Sequence, residues 1–150
     1  MSEAFRAVLF GCAVLGLGLG WVAVRAIRLD TTSPDRLVLE FRLAQFSALL
    51  LVLTAGVYIG FGIAHENTSG TGLDVALAIG FFVVASAVMT WEPSKALTVL
   101  ALAWVGHSFV DLAHILNLLP ASIVPLWYPR ACAIYDVGIA SICYWPVLRR

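Results

Sequence analysis

Residues 96–116 read ALTVLALAWVGHSFVDLAHIL. The stretch is apolar for about the 20 residues that a helix needs to cross a bilayer. Inside it His107, Asp111 and His114 stand at i, i+4 and i+7, so they share one helical face. An ionisable side chain in a membrane span is expensive and marks a functional site by default. The same stretch therefore predicts both a lipid-crossing helix and the place where the chain does something.

The rest of the chain agrees with a membrane protein. Of 150 residues, 61% are hydrophobic and 12% are charged, and mean hydropathy is +0.95. Soluble domains carry roughly 25% charged residues. So much apolar surface on so short a chain has no water-soluble core to hide in. Net charge is zero, so nothing favours a nucleic acid or another polyanion. No repeat, low-complexity tract or long polar linker breaks the chain, which reads as a single transmembrane helical domain over residues 1–150.

Five segments are candidate spans: Ala4–Ile27, Leu37–Ala64, Leu73–Met89, Ala96–Leu116 and Arg130–Leu148. The expected fold is an all-α bundle of five transmembrane helices. Segment three is short, which leaves a four-span alternative. The breaks are a polar turn over 29–35 with a proline stop at Pro34, a flexible loop over 65–72, a short connection over 91–95, and a stretch punctuated by Pro120, Pro125 and Pro129. Leu9-Phe10-Gly11-Cys12 resembles a lipoprotein cleavage box. The apolar run continues past it to Ile27, so this segment is expected to be a retained helix.

Basic residues set the expected orientation. With the N-terminus outside, Arg25, Arg28, Arg36, Arg42, Lys95, Arg149 and Arg150 lie inside, and only Arg6 and Arg130 lie outside. The expectation is a bacterial inner membrane, N-terminus outside and C-terminus cytoplasmic. Arg36, Glu40 and Arg42 then fall at the inner interface. Trp21, Trp91, Trp127, Tyr128 and Trp145 stand near span ends as an aromatic belt. Gly16 and Gly20, and Gly56 and Gly60, are four apart. Such faces let helices approach closely, within the bundle or in a homo-oligomer.

In this topology the ionisable residues gather in the outer half. Asp136 lies six residues into segment five, about 9 Å along the axis, at a depth like that of Asp111. His65, Glu66 and Asp74 crown the outer ends of helices two and three. Thr54 and Tyr58 share a face that could supply hydroxyls. Tyr135 adjoins Asp136 but points elsewhere. Cys132, Asp136, Ile139 and Cys143 form a stripe on helix five. Cys12, Cys132 and Cys143 form no CxxC pair and read as small buried hydrophobes.

Three readings compete for this constellation. In the structural one, His and Asp pair with each other and with Arg130 to fix helix register. In the second, His107, Asp111 and His114 hold Zn or Fe, with Asp136, His65 or Glu66 completing the shell. His107 and His114 are about 10.5 Å apart along the axis, which stretches that geometry, and haem is disfavoured because two histidines on one helix cannot sandwich it. In the third, which leads, Asp111, Asp136, His107 and His114 carry out acid–base chemistry, without a cofactor, on a lipid or isoprenoid. Arg130, Trp104, Tyr58, Tyr135 and Trp127 are the candidate substrate-binding residues, and the reaction would be an isomerisation, cyclisation or hydrolysis. Asn67-Thr68-Ser69 is a formal glycosylation sequon. Ser108 points off the His107 face, which argues against a Ser–His nucleophile.

The pattern His107-x3-Asp111-x2-His114, followed by Trp127-Tyr128-Pro129, Cys132 and Asp136, resembles a group of small bacterial membrane proteins of unassigned activity. The likeness covers the last third of the chain. It departs from the group's pattern in having two residues, not three, between Pro129 and Cys132. The resemblance implies a site at these residues and no particular reaction. In size and span number the chain is also similar to the tryptophan-rich sensory proteins and the sterol isomerases. The former's Trp-Pro-Pro signature is absent, and the latter's catalytic His and Glu residues have no counterparts that align.

Overall fold

A computed structural model describes residues 3–64, 70–119 and 124–150. These residues form five helices: α1 (Glu3–Ile27), α2 (Pro34–Ala64), α3 (Thr71–Val88), α4 (Pro93–Ile115) and α5 (Trp127–Leu148). All five are long and apolar enough to cross a membrane. The four-span alternative therefore gives way to five, because α3 reaches 18 residues. His65, Glu66 and the sequon lie outside the described residues.

Helix boundaries are set by local chemistry. Pro34 and Pro93 open helices instead of closing the segments before them. Proline suits the first helical position because the backbone N–H it lacks would have no partner there. α2 thus begins three residues before the expected Leu37, which brings Arg36 into the helix. α4 begins at Pro93, capped by Glu92, whose carboxylate accepts the backbone N–H of Ser94 and Lys95 at 3.1 and 3.2 Å. Pro129 sits in the first turn of α5, where missing donors are again tolerated. α4 stops in a Schellman motif. Asn117 takes a left-handed φ of 56°, and the N–H groups of Asn117 and Leu118 bond the carbonyls of His114 and Ala113.

The Glu92 cap has a measurable consequence. Its carboxyl is pushed down to about 2, first by the Ser94 hydroxyl, then by the two backbone donors and Arg150. A lowered folded-state value means that the cap stabilises above the ordinary carboxylate range and is lost as pH falls toward 2. Glu92→Ala is expected to destabilise by about 1 kcal/mol at pH 7 in reversible unfolding in mixed micelles. The gap to wild type should close on acidification. A gap independent of pH would show that the carboxylate is not the cap.

α2 packs against every other helix, and α4 packs most extensively on α5. The interior is built from small and aliphatic residues, among them Ala23, Leu43, Leu51, Leu97 and Leu100 around Trp104. Outward-facing side chains are also apolar: Phe10, Leu17 and Ile134 are 74%, 75% and 79% exposed. A soluble protein would not present that surface; a lipid bilayer solvates it. The glycine pair of α1 packs inside the chain: a Cβ at Gly16 would lie 3.3 Å from the Tyr135 ring, and one at Gly20 would lie 3.8 Å from Ile142. Gly56 faces Phe82 of α3 at 3.7 Å.

The two ends of the bundle differ. At one end Arg36, Glu40, Arg150 and Glu92 tie the starts of α2 and α4 to the end of α5. Arg36 and Glu40, expected at an interface, are buried, 3% and 1% exposed. The other half of the bundle holds His107, His114 and the buried acids Asp74, Asp111 and Asp136.

Candidate functional site

α4 supplies His107 and Asp111 one turn apart, and α5 brings Asp136 against them. His107 Nδ1 lies 2.8 Å from Asp136 Oδ2 and 3.4 Å from Asp111 Oδ2. The first contact is a hydrogen bond. The second is close enough for an ion pair but is not aligned as one. Tyr58 of α2 donates a short hydrogen bond to the other Asp111 oxygen, Oδ1. The group is sealed: His107 is 1% exposed, and Asp111 and Asp136 are fully buried. Around the His107 ring, Phe81 and Tyr58 stand edge-on with centroids at 4.9 and 5.8 Å, and Trp104 stands at 6.4 Å.

The charge count of this group is its main property. Two carboxylates face one imidazole. Even with the imidazole protonated, a negative charge remains in a medium that does not solvate it. Asp111 Oδ2 and Asp136 Oδ1 have no hydrogen-bond partner among the described residues. The group therefore has room for a further proton or a cation. One ligand atom from each of His107, Asp111 and Asp136 falls within 4.8 Å of the others, so these three are the residues that could hold a metal.

His114 is not part of that trio. Its Nε2 lies 3.3 Å from Asp74 Oδ1 of α3, and its ring stacks on Tyr58 with centroids 5.1 Å apart. The expected ligand set His107, Asp111 and His114 is thus rearranged: Asp136 takes the place of His114. Residues seven apart on a helix are about 10.5 Å apart along its axis, so His107 meets α5 while His114 meets α3.

The other expected site residues divide. Tyr58 belongs to the group. Trp104 is fully buried beneath it and donates its indole N–H to Ser47 Oγ at 2.9 Å, which in turn lies 3.0 Å from Cys143 Sγ. Trp127 and Tyr135 line an apolar groove. Arg130 is exposed and forms no ion pair among the described residues, a correction to its expected place beside the aspartates. It sits in the first turn of α5, while Asp136 is nearly two turns deeper on a face turned inward. Ser108 bonds the Ala133 carbonyl at 3.2 Å, away from His107.

The groove encloses about 540 Å³ between α1, α2 and α5, within the range of small-molecule sites. Val8, Leu9, Leu15, Leu53 and Ile134 form its apolar walls. Its inner wall carries Thr54, Tyr128 and Cys132. Tyr128 and Cys132 stand at steps of four before Asp136 on one face of α5, and the Tyr128 ring packs against Tyr58 with centroids 5.8 Å apart, so the inner wall of the groove adjoins the His/Asp group. The sequence alone gives Tyr128 no role in binding and marks Cys132 as a small buried hydrophobe; Asp74 does lie in the first turn of α3, and its pairing with His114 has no local signal. The four-residue spacing of Tyr128, Cys132 and Asp136 was the available signal.

No protein-family model matches the chain, and no curated protein or solved structure matches it.

Proposed function

We propose that the chain is a membrane-embedded enzyme that transfers a proton on a lipid or isoprenoid substrate. The observation that carries this reading is the sealed His107–Asp136–Asp111–Tyr58 group standing behind the inner wall of an apolar groove. Asp136 and His107 are the acid–base pair. Tyr58 holds Asp111 in place through its hydrogen bond to Oδ1, so the negative charge nearest the reacting atoms is fixed before substrate arrives. The groove takes the hydrocarbon chain, with Trp127 and Tyr135 against it, and the reacting carbon reaches the pair past Cys132 and Tyr128. The simplest reaction of this class moves a double bond: one carbon gains a proton from the pair, its neighbour releases one, and the pair ends as it began. Isomerisation, cyclisation and hydrolysis can each be driven by a positioned acid–base pair of this kind. The basic residues at the opposite end support a bacterial inner membrane with the site in the outer half.

The test needs no prior substrate. Purified protein in nanodiscs is incubated in D2O with a total lipid and isoprenoid extract of bacterial membranes, and the lipids are read by mass spectrometry. The expected result is deuterium on carbon in one lipid class, reduced about 10²-fold or more by Asp136→Asn. Equal incorporation with wild type and variant would end the acid–base reading. Stoichiometric zinc or iron in wild type, absent from His107→Ala, would replace it with a metal site at His107, Asp111 and Asp136.

A further inference from the structure

The double-bond shift leaves the pair as it began, but the pair can place solvent deuterium on a substrate only if it also exchanges its proton with water, and the groove is a poor path for this because its lining is almost wholly apolar. On the other side of His107 is a small void of about 10 Å³, roughly the space of one water. Asp74, Tyr58 and His107 line it, together with Ala78, Phe81 and other apolar side chains. Asp74 is 2% exposed, and neither of its carboxylate oxygens has a hydrogen-bond partner among the described residues. A buried carboxylate that still lacks a hydrogen-bond donor, beside a water-sized and partly polar void, is a water site by its chemistry, since a buried acceptor without a donor is costly. Asp74 also lies 3.3 Å from His114 Nε2, and His114, 7% exposed, sits in the last turn of α4 at the end of the bundle.

We infer that Asp74, His114 and one water in this void form the proton route between the end of the bundle and His107. The inference rests on the acid–base reading of the site. His114 Nε2 passes a proton to Asp74, and Asp74 passes it to the water. The water gives a different proton to His107 Nε2, the ring nitrogen left over when Nδ1 faces the carboxylates. His107 then releases its Nδ1 proton to Asp136. Each station gives one proton and receives one, so charge and atoms balance. Tyr58 keeps the route aligned: its ring stacks on His114 and its hydroxyl holds Asp111. The arrangement assigns separate entrances, an apolar one for substrate through α1, α2 and α5, and a polar one for protons through α3 and α4.

Infrared spectroscopy of nanodisc samples switched from H2O to D2O tests the route. The band of the protonated buried carboxyl is assigned by its loss in Asp136→Asn or Asp111→Asn, and its shift after the switch is timed. Asp74→Asn removes the station. Ala78→Val keeps every ionisable group and fills the void. Each is expected to slow the shift about tenfold or more, on the scale of a lost proton-transfer partner, with the melting temperature near the wild-type value as a check on folding. Exchange at the wild-type rate in either folded variant would overturn the route while leaving the acid–base reading standing. A wild-type spectrum with no such carboxyl band would overturn the acid–base reading and the route with it.

Discussion

His107→Ala is expected to abolish deuterium transfer to lipid and to destabilise the bundle by about 3–5 kcal/mol, the cost of breaking a buried ion pair from one side. The size of the effect follows from the position of Nδ1, 2.8 Å from Asp136 and 3.4 Å from Asp111. Without the imidazole the two fully buried carboxylates lose their shared partner and face each other. Asp111 keeps its Tyr58 bond, but Asp136 has no other hydrogen bond among the described residues. Asp136→Asn is the informative contrast. The amide still occupies the same volume and still bonds His107, so stability should fall by only about 1 kcal/mol, near the net worth of one hydrogen bond. Activity should fall as far as in His107→Ala, because an amide cannot take or return the proton. Reversible unfolding in mixed micelles beside the D2O assay measures both. An Asp136→Asn protein that keeps its activity would reduce the group to a structural one.

The fold was legible because lipid imposes few solutions. With every backbone group satisfied internally, apolar stretches of these lengths have to be helices, and five of them were visible. Their starts were less legible. Pro34 reads as a stop and Pro93 as part of a short connection, since proline ends a helix when it follows one and begins a helix when it leads one. At α4 the direction is decided by Glu92, whose carboxylate caps the first turn, and not by proline itself. The extra turns at these starts are the ones that carry Arg36 and place Glu92 as a cap.

The site was half legible for a similar reason. Periodicity on one helix places His107 and Asp111 together whatever the rest of the chain does. Matched depth brought Asp136 to the same level, and α4 and α5 do pack together. Rotation of one helix against another is a tertiary property with no local signature. That is why His114 was grouped with His107 when its neighbour is Asp74, and why Arg130 was drawn toward aspartates that lie deeper and face inward. Trp104 was read as substrate-facing because it continues the polar stripe, but its N–H is already engaged by Ser47. The groove is less legible still, since it exists only where three helices diverge.

Removing Arg36 should be the largest perturbation at the far end of the bundle, and its partner decides how much is lost. Arg36 Nε bonds Glu40 Oε1 at 2.9 Å, and its Nη2 bonds the Pro146 and Arg149 carbonyls at 3.1 and 3.3 Å. It therefore neutralises a buried acid and serves as a donor for the end of α5. Arg36→Met strands Glu40, which is 1% exposed, with only the partly exposed Arg150 as counter-charge. A loss of about 3–5 kcal/mol is expected. The double variant Arg36→Met, Glu40→Leu removes both charges and fills the space with apolar atoms. It should be clearly more stable than Arg36→Met alone, because replacing both members of a buried pair is often close to neutral, and the carbonyls it frees lie at a helix end. A double-mutant cycle by reversible unfolding reads this as a coupling. Additive losses would mean that Arg36 acts through the α5 carbonyls and not through Glu40. Deuterium transfer per folded molecule should be unchanged in the double variant, since Arg36 and Tyr58 are 22 residues apart on one helix, about 33 Å. A change in that rate would show that the two ends of the bundle are coupled, and that the clamp helps to set the geometry of the site.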